Sequence, residues 1–370
     1  MLKRNNALII ARGLAAGIIN CDSVQIGADN TAAINSIVAL AGNLPVNPPF
    51  EIHPYLNTYI MGEYKKYIIG TFPPISYLID HPLVVAAVIA ALIQPGPGAD
   101  INPPAIPFYH GNAGDMWKYL LTPAENNILN LTVGRNNKKN YLINFLHVNE
   151  INYCDIIKNT QRYLNNAGNY DFTDKCLNNI CINQELIYNV LINFKSEYLL
   201  FNTGSTVSTP PGGLKIHINA NPANPAGSVN VKSNTKSFDL FVRGCQDLGL
   251  KVELQIQNGP TPFFRWTEIN FVNRVFLQAN MHNKVAFEMR ISRTEKTVDH
   301  NLKDFTGDRI FTVITGPSPS RAAMRGIQKN INFMNWWALH PPPNDASAFI
   351  TYIYQTFRFG PIAALYALNA

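Results

Sequence analysis

The chain has 370 residues, 46% of them apolar and only 15% charged, with 20 Phe, 16 Tyr and 4 Trp, a composition that disfavours a disordered chain and provides for a substantial core. Its longest uninterrupted apolar run, Leu83 to Ile93, has eleven residues against the roughly 20 that a membrane helix needs, so no transmembrane segment is expected and the run reads as a buried helix. The net charge of +6 is local: residues 232–330 hold 15 Lys/Arg against 9 Asp/Glu, whereas residues 1–231 hold 14 of each and 331–370 one of each.

Residues 1–48 form a Gly/Ala-rich lead read as an N-terminal extension, with Ala32–Leu44 as a short helix. An α/β domain is expected from 49 to 340. Its first strand ends in Tyr67-Ile68-Ile69-Gly70 and breaks at Thr71-Phe72-Pro73-Pro74. A Pro/Gly-rich hinge, Gln94–Pro107, leads to Phe108-Tyr109-His110-Gly111-Asn112 and then to a helical stretch from Asp115 around Trp117. Asn136–Asn140 reads as a loop, Tyr141–Val148 as a buried segment, and Asn149–Asp155 as a turn-rich continuation closing a core strand at Asp155. Asn183–Phe194 places Leu186, Ile187, Val190, Leu191 and Phe194 on one helical face.

Tyr198–Phe201 reads as a strand closed by Asn202-Thr203-Gly204. Residues 205–300 then turn β-rich: Leu214–Ile218 and Val229–Val231 alternate as a hairpin with a long loop, and Val252–Ile256 and Val285–Met289 alternate again. Between them Phe238–Leu248 reads as a helix. Phe311–Thr315 is a further strand, followed by Gly316-Pro317-Ser318-Pro319-Ser320 and a helix-like stretch from Arg321 to Asn330. Residues 341–370 are expected to pack on the core as a C-terminal extension.

Two strand–turn units, one early and one late, are what an open α/β sheet needs to build one crevice outside its carboxyl ends. Gly70-Thr71-Phe72-Pro73 resembles the first motif of the uracil-DNA glycosylase superfamily, and Gly316-Pro317-Ser318-Pro319-Ser320 resembles its second. Phe108–Asn112 with Met116-Trp117 is similar to the aromatic segment of branches near the hypoxanthine-type glycosylases. The matching pieces span about His53 to Trp337 in the family's order. The resemblance implies an α/β fold with a central, mainly parallel sheet flanked by helices in three layers, here with an added β-rich insertion at about 205–300. It also implies recognition of a flipped uracil- or hypoxanthine-type base in DNA and hydrolysis of its N-glycosidic bond.

That reaction places positive charge on the sugar and negative charge on the leaving base, so it calls for a carboxylate or amide on the water and donors near the base. Where the family's first motif commonly supplies the acid or amide, this chain has Phe72; where a His commonly opens the second, it has Gly316. Asp155 and Asn112 are the expected catalytic substitutes, although Asp155 also suits a helix N-cap and Asn112 a turn beside Gly111. Phe72, Tyr109 and Asn202 are expected at the base, with Asn202 alternatively capping a turn. Ser318, Ser320, Arg321 and Arg325 are expected at DNA phosphates, the arginines sharing one helical face.

The five cysteines, at 21, 154, 176, 181 and 245, include no C-x-x-C pair and point to free thiols in a reducing, intracellular compartment, organelle and virion included. No two histidines stand three or four residues apart, so neither a metal nor a cofactor is expected. The departures at Phe72 and Gly316 keep a second reading open: a catalytically silent glycosylase fold serving as a DNA-binding or assembly subunit.

Overall fold

The computed structural model describes residues 51–53, 55, 62–71, 106, 108–109, 115–162, 177–202, 215–218, 229–232, 237–257, 264–269, 285–297, 302–316, 331–340 and 345–369. The extension 1–48, the run Leu83–Ile93 and the expected helix Arg321–Asn330 lie outside them. Among the described residues no helix is long and apolar enough to cross a membrane.

The chain opens with β1 (Glu51–Ile52) and β2 (Lys66–Gly70), then α1 (Asp115–Leu120), α2 (Pro123–Leu131) and α3 (Arg135–Val148). α2 starts at Pro123 behind a capping box, in which Glu125 N–H donates to Thr122 Oγ1 (3.3 Å) and Thr122 N–H donates to Glu125 Oε2 (2.8 Å). Asn136–Asn140, expected as a loop, instead forms the first turns of α3. Burial of Leu142, Phe145 and Leu146 on one face outweighs the weak helix propensity of asparagine.

After β3 (Ile151–Asp155), β4 (Ile157–Arg162) and β5 (Leu177–Ile182) comes α4 (Gln184–Ile192). Leu186, Ile187, Val190 and Leu191 are buried on it as the periodicity requires, whereas Phe194 falls beyond its end and is exposed. The chain continues through β6 (Tyr198–Phe201), β7 (Lys215–Ile218), β8 (Val229–Lys232), α5 (Ser237–Asp247), β9 (Lys251–Gln257) and β10 (Phe264–Ile269). It closes with β11 (Ala286–Ser292), β12 (Asp308–Thr315), α6 (Ile331–Leu339), α7 (Ala346–Phe359) and α8 (Ala363–Tyr366).

Seven strands form one mixed sheet in the order β10-β9-β11-β12-β6-β2-β3. β12, β6, β2 and β3 run parallel to one another, while β11, β9 and β10 pair antiparallel. The protein is thus α/β with a parallel core to which an antiparallel wing is added. Tyr67-Ile68-Ile69 and Leu199-Leu200-Phe201 are wholly buried, as expected for parallel strands covered on both faces.

Taken by chain position, the four parallel strands lie second, first, third, fourth across the sheet. The chain therefore leaves β2 in one direction and comes back on its other side, which makes the β2–β6 boundary a topological switch point. Gly70 stands level with Asp155 in the β2–β3 ladder. Asn202 N–H donates to Ile69 O (3.3 Å), and Gly316 N–H donates to Phe201 O (3.2 Å). Gly70, Asp155, Asn202 and Gly316 consequently share one carboxyl edge.

A second sheet has the order β1-β4-β5-β7-β8. Ile156 alone separates β3 from β4, so the chain passes from one sheet to the other directly after Asp155. Strands of the 205–300 stretch go to both sheets: the β7–β8 hairpin extends the five-stranded one, and β9 to β11 extend the seven-stranded one.

The C-terminal helices tie these parts together. Asp345 caps α7 by accepting from Ala348 N–H (2.7 Å), and Gly360 ends it at φ 76°, a left-handed conformation that suits glycine. Arg358 of α7 grips both carboxylate oxygens of Glu125 on α2 (2.5 and 2.6 Å) and donates to Asn149 Oδ1 (2.8 Å). Asn369 accepts from Val285 N–H (2.6 Å) and donates to Ala286 O (2.6 Å), pinning the start of β11.

A candidate active site at the carboxyl edge of the parallel strands

Asp155 is the last residue of β3, and no helix starts there, so it is not an N-cap; the chain runs on into β4. Its Oδ1 lies 2.0 Å from where a Cβ on Gly70 would sit, so the absent side chain of Gly70 is the space the carboxylate occupies. Its Oδ2 meets His53 Nε2 at 2.9 Å. The two residues are 4% and 5% exposed. His53 arrives through the other sheet: its N–H donates to Lys158 O (3.0 Å), continuing the β1–β4 pairing by one residue.

The surrounding backbone is held just as closely. Ile156 N–H donates to Gly70 O (3.0 Å) and Ile157 N–H to Thr71 O (3.2 Å), so the parallel ladder continues past the strand ends. Asn183 caps α4 by accepting from Leu186 N–H (3.3 Å), while its amide donates to Asp155 O (3.2 Å) and to Cys154 Sγ (3.3 Å). One side chain thereby joins the helix start to the strand end.

Beside the carboxylate, Asn202 Nδ2 donates to Tyr153 Oη (2.8 Å) across the ends of β6 and β3. Burial first, and the Asp155 charge after it, push the Tyr153 hydroxyl well above the ordinary tyrosine range, so it stays a neutral O–H. The same two causes push the Cys154 thiol up, which leaves it an unreactive thiol rather than a nucleophile. The Tyr109 ring lies 4.5 Å from Tyr153, 5.0 Å from Phe108 and 5.5 Å from His53 between ring centres. Trp117 Nε1 fixes this turn by donating to Tyr109 O (2.7 Å).

Of the residues expected from sequence, the structure brings together Gly70, Thr71, Tyr109, Asp155, Asn202 and Gly316. Tyr109 and Asn202 are 2% and 1% exposed, with the Tyr109 ring packed into the aromatic wall. Phe72, Pro73, Asn112, Pro317, Ser318, Pro319, Ser320, Arg321 and Arg325 lie outside the described residues. His53 and Tyr153 were not expected at the site. His53 stands 102 residues before its partner, and the pairing of β1 with β4 brings the two together.

Five basic residues in the described part of 232–330 are engaged within the fold. Arg243 pairs with Asp247 (2.8 Å), and Lys251 and Arg290 both pair with Glu253 (2.9 and 2.7 Å). Arg293 donates to Leu302 O and Phe305 O, and Arg309 to Leu191 O, Asn193 O and Ser196 O. Arg309 is at the start of β12, the end away from Gly316. Among the described residues no group of three or more His, Cys, Asp or Glu side chains could hold a metal ion.

The arrangement offers a buried, oriented carboxylate, a neutral phenol and a carboxamide within one edge. That set can align a water or hydroxyl and donate to a polar ring. No family model matches this chain, nor does any curated protein or solved structure.

Proposed function

We propose that the chain is a DNA glycosylase of the uracil-DNA glycosylase superfamily type, with the three-layer form of that fold. It takes a flipped uracil- or hypoxanthine-type base at the carboxyl edge of β2, β3 and β6 and hydrolyses the N-glycosidic bond. The observation that carries this reading is the position of Asp155, level with Gly70 on the adjacent parallel strand. In the sequence Phe72 stands where the family's first motif commonly has an acid or amide; the carboxylate at the end of the neighbouring strand lies against Gly70, whose missing side chain leaves it room.

In this reaction Asp155 accepts a hydrogen bond from the attacking water and its charge opposes the positive charge on the sugar. The Asn202 carboxamide and the Tyr153 hydroxyl read the base edge, and DNA phosphates meet the Ser318–Arg325 segment. Extracting the base costs a few kcal/mol, which the polar and aromatic groups at this edge offset. Single-turnover release from uracil- and hypoxanthine-containing oligonucleotides tests the reading. Asp155→Asn should slow release by about 10²–10⁴-fold, and an unchanged rate in that variant would remove Asp155 from the mechanism.

A second reading, a catalytically silent fold that binds DNA or assembles with proteins, is favoured by one observation: Asp155, Tyr109 and Asn202 are all buried. Tight oligonucleotide binding with no base release by the wild type would select it.

A further inference from the structure

We infer that His53 is the positioning residue of this site: fixed in one tautomer by the Tyr55 backbone, it turns Asp155 so that Oδ1, rather than Oδ2, meets the water. This rests on the reading of Asp155 as the reacting carboxylate. Tyr55 N–H donates to His53 Nδ1 (3.1 Å). A ring nitrogen that accepts a hydrogen bond carries no proton, so the network assigns the proton of the neutral ring to Nε2, which faces Asp155 Oδ2 at 2.9 Å.

Both nitrogens are then committed, and His53 does not itself carry protons to or from a substrate. Its ring has little freedom to leave. The side chain is fully buried, the backbone N–H is bonded to Lys158 O, and Tyr109 and Tyr55 rings lie 5.5 and 6.1 Å away. With Oδ2 taken by the imidazole, the oxygen remaining for chemistry is Oδ1, in the space above Gly70. A carboxylate set in one orientation before substrate arrives is what an oriented water requires.

Base release under single-turnover conditions should be measured for wild type, Asp155→Asn, His53→Ala and His53→Gln, with oligonucleotide affinity alongside. His53→Ala should slow release about 10²-fold without loss of affinity. His53→Gln should recover most of the rate, because its amide N–H can reach Oδ2. A wild-type rate in His53→Ala beside a slow Asp155→Asn would overturn the inference, as would a His53→Gln as slow as the alanine variant. A wild-type rate in Asp155→Asn would instead strike the reading beneath it.

Histidine-labelled ¹⁵N spectra provide a measurement independent of activity. The expected result is a proton on Nε2, a bare Nδ1, and an Nε2 proton signal that moves in Asp155→Asn. A proton on Nδ1, or an Nε2 proton indifferent to that substitution, would refute the orienting role. If the wild type releases no base, the glycosylase reading fails and the spectrum alone decides the role of His53; if His53→Ala does not fold, His53→Gln and the spectrum decide it.

Discussion

At Gly70 the site depends on an atom that is not there. An alanine methyl would sit 2.0 Å from Asp155 Oδ1 and 2.8 Å from Tyr153 Oη. The first of these belongs to a carboxylate tethered to His53, so it cannot swing away cheaply. Gly70→Ala should cost about 1–3 kcal/mol through overpacking and displace the His53 Nε2 proton signal; denaturant midpoints and the histidine spectrum check both. Gly316 is the internal control. Among the described residues the nearest side-chain atoms, on Leu200 and Ile353, would be 3.5 and 3.8 Å from an added methyl, an ordinary contact, so Gly316→Ala should change stability by less than about 0.5 kcal/mol. Equal losses at the two glycines would mean that crowding by Asp155 is not what sets Gly70 apart.

Residue chemistry was only partly legible in the sequence. Gly70, Asp155, Asn202 and Gly316 could be proposed together because each follows an apolar run, and such runs end at the same edge of a parallel sheet. Tyr153 could not be separated from its neighbours: a tyrosine inside a buried strand looks like core until a strand two places away brings Asn202 against its hydroxyl. His53 had no local signal, since it stands one residue beyond a two-residue strand and meets its partner through another sheet.

Among elements, the clearest dependence is that of α7 on α2. Arg358 binds both oxygens of Glu125 while its guanidinium lies 4.5 Å from the centre of the Phe145 ring, and Lys66 Nζ donates to the Arg358 carbonyl. Glu125 also closes the α2 capping box, so a single carboxylate serves the helix start and the contact between helices. The Arg358 guanidinium foremost, with the Thr122 N–H and hydroxyl, draws Glu125 from an ordinary 4.5 down to about 2, against an opposing effect of burial. A depressed carboxylate stabilises the fold above its unfolded value and ceases to do so as pH falls through its folded value. Stability should therefore decline between pH 4.5 and about 2, and less steeply in Glu125→Gln; urea midpoints across that window test it. Arg358→Lys keeps the charge but loses the fork, at a cost of about 2 kcal/mol. Helices with clean periodicity, such as α4, were legible beforehand. α3 was legible only in its second half, because the six polar residues at its start, Arg135 to Asn140, have no pattern that reveals the apolar face they precede.

For the whole molecule, the division between parallel core and antiparallel wing gives an order of local stability. β2 is paired on both sides, and Tyr67, Ile68 and Ile69 are wholly buried. Its amides, with those of Leu199 to Phe201, should exchange with solvent only through global unfolding. Among the described residues β10 has a bonded neighbour on one side only, and Phe264 and Arg265 are exposed, so its amides should exchange through smaller openings. Native-state hydrogen exchange measures this order, and protection in β10 equal to that in β2 would contradict it. An α/β architecture was readable from the alternation of strand and helix signals. The mixed sheet was not, because strands β9 to β11 alternate in the same way whether they extend the main sheet or form a separate module.

Asp155 closes a strand of the seven-stranded sheet, and His53 extends β1 of the five-stranded sheet, so their 2.9 Å contact spans the two. It acts as a gauge of how the sheets are docked. A shift of the imidazole by about an ångström would part it from the carboxylate, and on the glycosylase reading proposed above a misplacement of that size costs about 10²-fold in rate. On that reading, substitutions that move β1 would alter base release without approaching the DNA, because the backbone pairing that carries His53 sets the bearing of the carboxylate.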